Sequence, residues 1–147
     1  MPSPSPPPVP ALQNGDRLSR REFERRYEAT PHVKKAELIE GTVYIPSPVH
    51  ANSHGRPHST IVGWLLTYAA VTPGVNSYDN ATVRLDLDNE PQPDALLRID
   101  KDCGGQSQIS DDDYVEGAPE LVVEIAHSSA GSEVTECSPE CAAYDLH

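Results

Sequence analysis

Two carboxylates stand in the most hydrophobic stretches of this chain. In PQPDALLRID, residues 91–100, Asp94 follows Pro93 directly and opens an apolar run. In PELVVEIAHS, residues 119–128, Glu124 is set among Leu121, Val122, Val123 and Ile125. A charge in such surroundings is costly unless it has a partner or a task. Two carboxylates held together in a low-dielectric site repel, so one of them takes up a proton or a cation sits between them. A divalent ion turns that repulsion into chemistry, and Mg2+ prefers a few carboxylate oxygens plus water and substrate phosphate to a full protein cage. The competing reading is structural: both acids face solvent at strand ends, or pair with arginines such as Arg98.

The flanking residues say how the two acids could meet. Alternation puts Ala95, Leu97 and Ile99 on one face and Asp94, Leu96 and Arg98 on the other. In the second segment Leu121, Val123 and Ile125 oppose Val122 and Glu124. Strands apolar on both faces are covered on both. Antiparallel pairing would lay the start of the first beside the end of the second, bringing Asp94 and Glu124 to one edge of a sheet. The intervening DCGGQSQISDDDYVEGAP reads as a polar loop. Ser19 and Glu22 fit a capping box, with Leu18 and Phe23 as its hydrophobic staple, and predict a helix over 19–28. AELIEGTVYIP reads as a hairpin turning at Glu40-Gly41. Apolar spacing predicts a helix over 59–71, closed by Pro73-Gly74. TVRLDLD alternates as a half-buried strand, with Val83, Leu85 and Leu87 facing inward.

At 147 residues the chain is long enough for one domain with a true core. Its start, MPSPSPPPVP, predicts a disordered proline-rich tail over 1–16. That start has neither the basic nor the apolar region of a signal peptide. No run approaches the roughly 18 apolar residues of a membrane span, so the expectation is a soluble, cytoplasmic protein with no membrane partner. The net charge of −12 weighs against generic nucleic-acid binding. Basic residues nevertheless gather early, at Arg17, Arg20, Arg21, Arg25 and Arg26, then Lys34 and Lys35. The three cysteines, Cys103, Cys137 and Cys141, form no even framework, and the C-x3-C pair Cys137 and Cys141, with His147 nearby, falls short of four zinc ligands and reads as two incidental thiols. His50, His54 and His58 are spaced by four, but Pro48, Gly55 and Pro57 argue against one continuous helix and so against a three-histidine metal site. Oligomeric state stays open, a homo-oligomer included.

The order ELIEG, PxH ahead of a helix, VRLDLD, PQPDALL, YVEGAPELVVEI and YDLH resembles the Uma2 family of restriction-type endonucleases, in the PD-(D/E)xK nuclease superfamily. The likeness covers roughly 18–129 and the last few residues. It implies an α/β (α+β) domain over 17–147 with a restriction-endonuclease-like core, a mixed central sheet flanked by helices. It also implies hydrolysis of DNA with Mg2+ or Mn2+. Asp94 and Glu124 would then be catalytic metal ligands, joined by the main-chain carbonyl of Ile125, with Glu37 orienting metal or water. His58 matches a polar position that touches substrate or caps the helix.

The sequence also departs from that pattern. The superfamily lysine, two residues after the glutamate, is replaced by Ala126. In Uma2 proteins it lies beyond a YDLH-like segment, and this sequence ends there, at His147. Lys34, Lys35 and Lys101 stand elsewhere, and Arg98 would be a rigid surrogate. GSEVTECSPECA, residues 131–142, intervenes where the family passes almost directly to YDLH. These departures imply a domain incomplete at its C-terminal end, with the Glu124 strand lacking a neighbour. Two expectations result: a metal-dependent DNA endonuclease, or a catalytically inactive relative serving as a metal-binding or protein-interaction module.

Overall fold

The computed structural model describes residues 7–46, 49–126 and 142–143. Helix α1 (Arg20–Glu28) begins where Ser19 Oγ accepts the Glu22 N–H at 3.4 Å. Only this half of the capping box serves the helix end, since the Glu22 carboxylate is engaged by Arg25 and Arg26 at 2.7 and 2.8 Å. Strands β1 (Glu37–Ile39) and β2 (Thr42–Tyr44) form the expected hairpin. Glu40 and Gly41 both have positive φ, 49° and 73°, as a two-residue turn of this hand requires. Phe23 of α1 packs against Leu38 and Val43 of the hairpin, and Leu18 joins the cluster as its staple. Leu12 is buried in the same cluster and the Gly15 N–H donates to Val43 O at 2.8 Å. The packed unit therefore starts ahead of residue 17, inside the stretch expected to be a tail.

The central sheet is mixed, as expected. It runs in the order β3 (Val75–Asp79), β5 (Ala95–Ile99), β8 (Leu121–Val123), β9 (Ala142–Ala143), antiparallel except for the parallel last pair. Helix α2 (Arg56–Val71) covers one face, packing Ile61 and Leu65 on Ala95, Leu97 and Val123. The other face is covered by a small sheet rather than a helix. There Leu96 meets Val83 of β4 (Val83–Arg84) and Val115 of β7 (Val115–Glu116). Both faces of β5 are thus buried, in keeping with its doubly apolar sequence.

Several expectations give way here. The polar loop after β5 contains β6 (Gln108–Ile109) and β7, and β7 pairs parallel with β4. The alternating TVRLDLD is a strand only at Val83–Arg84. Beyond it the Asp86 carboxylate accepts the Asp88 N–H at 2.8 Å and the Asn89 side chain at 3.0 Å, curling the chain and leaving Leu85 and Leu87 exposed. The strand ahead of Glu124 does have a second neighbour, β9. A π turn over Ala51–Gly55 runs directly into α2, so Gly55 and Pro57 do not interrupt the helical path. Pro57 is tolerated because the first turn of a helix needs no N–H from it.

The hairpin is tied to the approach to β5. Leu38 and Glu90 exchange main-chain hydrogen bonds of 3.1 and 2.7 Å, and the Gly41 N–H donates to Asp88 O at 2.8 Å. This tie buries Glu90 to 1% exposure beside Glu24, with no hydrogen-bond donor on either carboxyl oxygen. Burial, then the neighbouring Glu24, push the Glu90 carboxyl up to about 8 against the pull of Arg84 and Arg20. A proton on one acid supplies the donor that two carboxylates lack. The folded protein therefore holds a proton that the unfolded chain releases at ordinary carboxyl pH. This contribution to stability is complete below about 4.5 and is lost as pH rises toward 8. Glu90→Gln should raise the melting temperature by roughly 3–10 °C at pH 9, equivalent to about 1–3 kcal/mol for a buried unpaired group, with little change near pH 4. Thermal unfolding at the two pH values checks this, and an equal shift at both would contradict it.

Candidate active site

The β5–β8 register fixes the two acids. Ala95 pairs with Val123 and Leu97 with Leu121, so one further step along the ladder sets Asp94 across from Glu124. Each lies just outside its strand, at the same rim, and each shares the face occupied by Leu96 and Val122. Asp94 is buried, 4% exposed. Its Oδ2 accepts the Ile125 N–H at 2.8 Å, while its Oδ1 lies 3.4 Å from both Lys35 Nζ and His54 Nε2. It is therefore the amide of Ile125 that the structure sets against Asp94.

Glu124 lies within hydrogen-bonding reach of Asp94, and its carboxyl is pushed up to about 8 by burial, then by the charges of Asp94 and Glu37. Glu124 is exposed as a residue, and its two acidic neighbours push its carboxyl up from the same rim. Glu37, in β1, is raised by burial and by Asp94, against a Gln92 N–H donated to its Oε1 at 2.7 Å and the pull of Lys35. The three acids picked out in the sequence are thus brought into mutual electrostatic contact.

Two further side chains join them. Lys35 does not stand at the family's lysine position in the sequence, yet its amine lies at the rim, 3.4 Å from Asp94 Oδ1. The signal was present in KAELI: Ala36 and Leu38 are buried while Lys35 and Glu37 alternate with them, partly exposed. His54 and His58 stack one helical turn apart, ring centres 5.6 Å apart. His58 caps nothing; its Nε2 lies 3.0 Å from Asp94 O and 2.9 Å from Asp79 Oδ1. His50 precedes the π turn, so the three histidines do not form one ligand ladder. Arg98 neither pairs with the acids nor stands in for a lysine. It is buried at the other end of β5, donating to Ser107 O at 3.0 Å and Asp100 Oδ1 at 3.1 Å. Cys103 is exposed, and Cys137, Cys141 and His147 lie outside the described residues.

Among the described residues no three His, Cys, Asp or Glu side chains converge as a complete metal-ligand set. What the rim offers is a pair of opposed carboxylates with a third nearby, all oxygen donors and mutually repelling. This suits a hard divalent ion that keeps most of its water and needs only one or two carboxylates.

The model of the Uma2 family, described as "Putative restriction endonuclease", matches residues 20–145. The chain belongs to the Uma2 family. Its fold also resembles a solved structure from Anabaena variabilis ATCC 29413, titled a "putative nuclease belonging to DUF820". The TM-score is 0.51 at 17% identity, over 68% of this chain and 55% of that one. The Uma2 chain thus matches only about half the length of that structure. No curated protein matches it. Among the described residues no helix is long and apolar enough to cross a membrane.

The geometry of this Uma2 rim makes the titration of Glu124 dependent on Asp94. In Asp94→Asn the Glu124 carboxyl should titrate clearly below its value of about 8, as read by carboxyl 13C NMR. A midpoint that does not move would show that the two groups do not share a site.

Proposed function

We propose that this rim is the active centre of a metal-dependent endonuclease that hydrolyses DNA phosphodiester bonds, with Mg2+ or Mn2+ as cofactor. The supporting observation is the meeting of Asp94 and Glu124 across β5 and β8, with Glu37 beside them. Asp94 and Glu124 are the assigned ligands, and the main-chain carbonyl of Ile125 is the further oxygen this reading adds. A bound ion supplies Lewis acidity at the phosphate and lowers the pKa of a water.

The protein's own residues supply position and charge. Asp94 is held by the Ile125 amide and cannot swing away from the rim. In hydrolysis a water oxygen bonds to phosphorus as the bond to the leaving sugar oxygen breaks. Glu37, its affinity for protons raised by burial, accepts the proton of the water, and the leaving oxygen gains one from solvent. The first turn of α2 abuts Asp94 through His58, which steadies the start of β5 at the rim. The Lys35 ammonium at the rim offsets, locally, part of the −12 charge that would otherwise repel DNA.

Among the described residues no third ligand converges with the two acids, and this favours a second reading, a metal-binding or protein-interaction module without turnover. Mn2+ calorimetry together with nicking of supercoiled plasmid separates the two. The nuclease reading predicts binding and nicking by the native protein, with nicking reduced at least about 100-fold in Asp94→Ala and Glu124→Ala. Undiminished nicking in both variants contradicts it, and binding without nicking by the native protein selects the second reading.

A further inference from the structure

We propose that Lys35 is the amine of this centre: its ammonium contacts the scissile phosphate and stabilises the negative charge that grows on it during hydrolysis. The assignment rests on the nuclease reading above and deepens it.

Of the three lysines in the chain, the other two are turned elsewhere. Lys34 Nζ donates to Pro31 O at 3.3 Å and Lys101 Nζ to Gln108 Oε1 at 2.9 Å. Lys35 Nζ lies 3.4 Å from Asp94 Oδ1, long for a charge-assisted bond, and this contact uses one of its three donors. Its side chain keeps 24% exposure where that of Asp94 keeps 5%. Of the two side chains, the lysine is the one more accessible to an arriving phosphate. Ala36 and Leu38, buried in the hairpin core, fix the backbone on either side of Glu37 and aim Lys35 and Glu37 to the same side. Beyond that anchor a four-carbon stem leaves the ammonium free to follow a substrate oxygen, which the buried guanidinium of Arg98 cannot do. Preorganised positive charge of this kind acts where charge develops in the transition state.

A cation that served only to neutralise Asp94 would behave differently from one that meets the phosphate, and Lys35→Met distinguishes them. Its plasmid nicking in Mn2+ should fall about 100-fold or more. Its Mn2+ affinity, read by calorimetry, should hold or tighten by up to about fivefold, because a like charge beside Asp94 has gone. Lys35→Cys treated with 2-bromoethylamine, which rebuilds an amine at nearly the same reach, should recover nicking; native protein treated alike controls for reaction at the other cysteines. Native protein that nicks alongside Lys35→Met protein that nicks equally well overturns the role of Lys35 and leaves the nuclease reading standing. Lys35→Met protein that loses Mn2+ affinity and nicking together, with no recovery after aminoethylation, assigns Lys35 a structural role and overturns the proposal. Native protein that binds Mn2+ and cleaves nothing overturns the nuclease reading and this inference with it.

Discussion

The pairing register of β5 with β8 is the constraint on which the rest of the site depends. One residue of slip would send Glu124 to the α2 face and Leu121, Val123 and Ile125 to the other, exchanging an apolar contact for a buried charge. Burial of both faces of β5 therefore specifies the register strongly. Asp94 and Glu124 meet at the rim because Leu97 and Val123 must meet α2. The Ile125 amide, donated across the strands to Asp94, continues the same ladder by a side-chain route.

A second constraint is the tie between the hairpin and the 88–92 segment. Its main-chain hydrogen bonds bring Glu37 and Lys35 to the rim, at the cost of burying Glu90 beside Glu24. The molecule thus holds two acids pushed up to about 8, Glu90 and Glu124, in different settings. Glu90 is sealed in the interior, with arginines at its edge. Glu124 is exposed at the rim, beside Asp94 and Glu37 and within the field of the Lys35 amine. Only the second environment is accessible to an ion and a phosphate.

Much of this was legible in the sequence where a pattern was local and regular. The hairpin turn at Glu40-Gly41, the staple of Leu18 and Phe23, and the two faces of the Asp94 and Glu124 segments follow from spacing alone, while the fold class is what the Uma2 resemblance implied. Three kinds of feature were not. TVRLDLD alternates correctly, yet the Asp86 side chain offers its backbone an alternative that no periodicity count detects. The two-residue strands β6 and β7 are too short to carry a period. Lys35 reaches Asp94 across 59 residues, through the hairpin tie, so its distance along the chain from Glu124 concealed its place at the site.

In the proposed centre Asp94 and Glu124 would together hold a single divalent ion. Anomalous diffraction from crystals grown with Mn2+ tests it most directly. The expected result is a peak within coordination distance of carboxylate oxygens from both Asp94 and Glu124. A well-occupied Mn2+ bound away from this rim, or bound to neither acid, would contradict it.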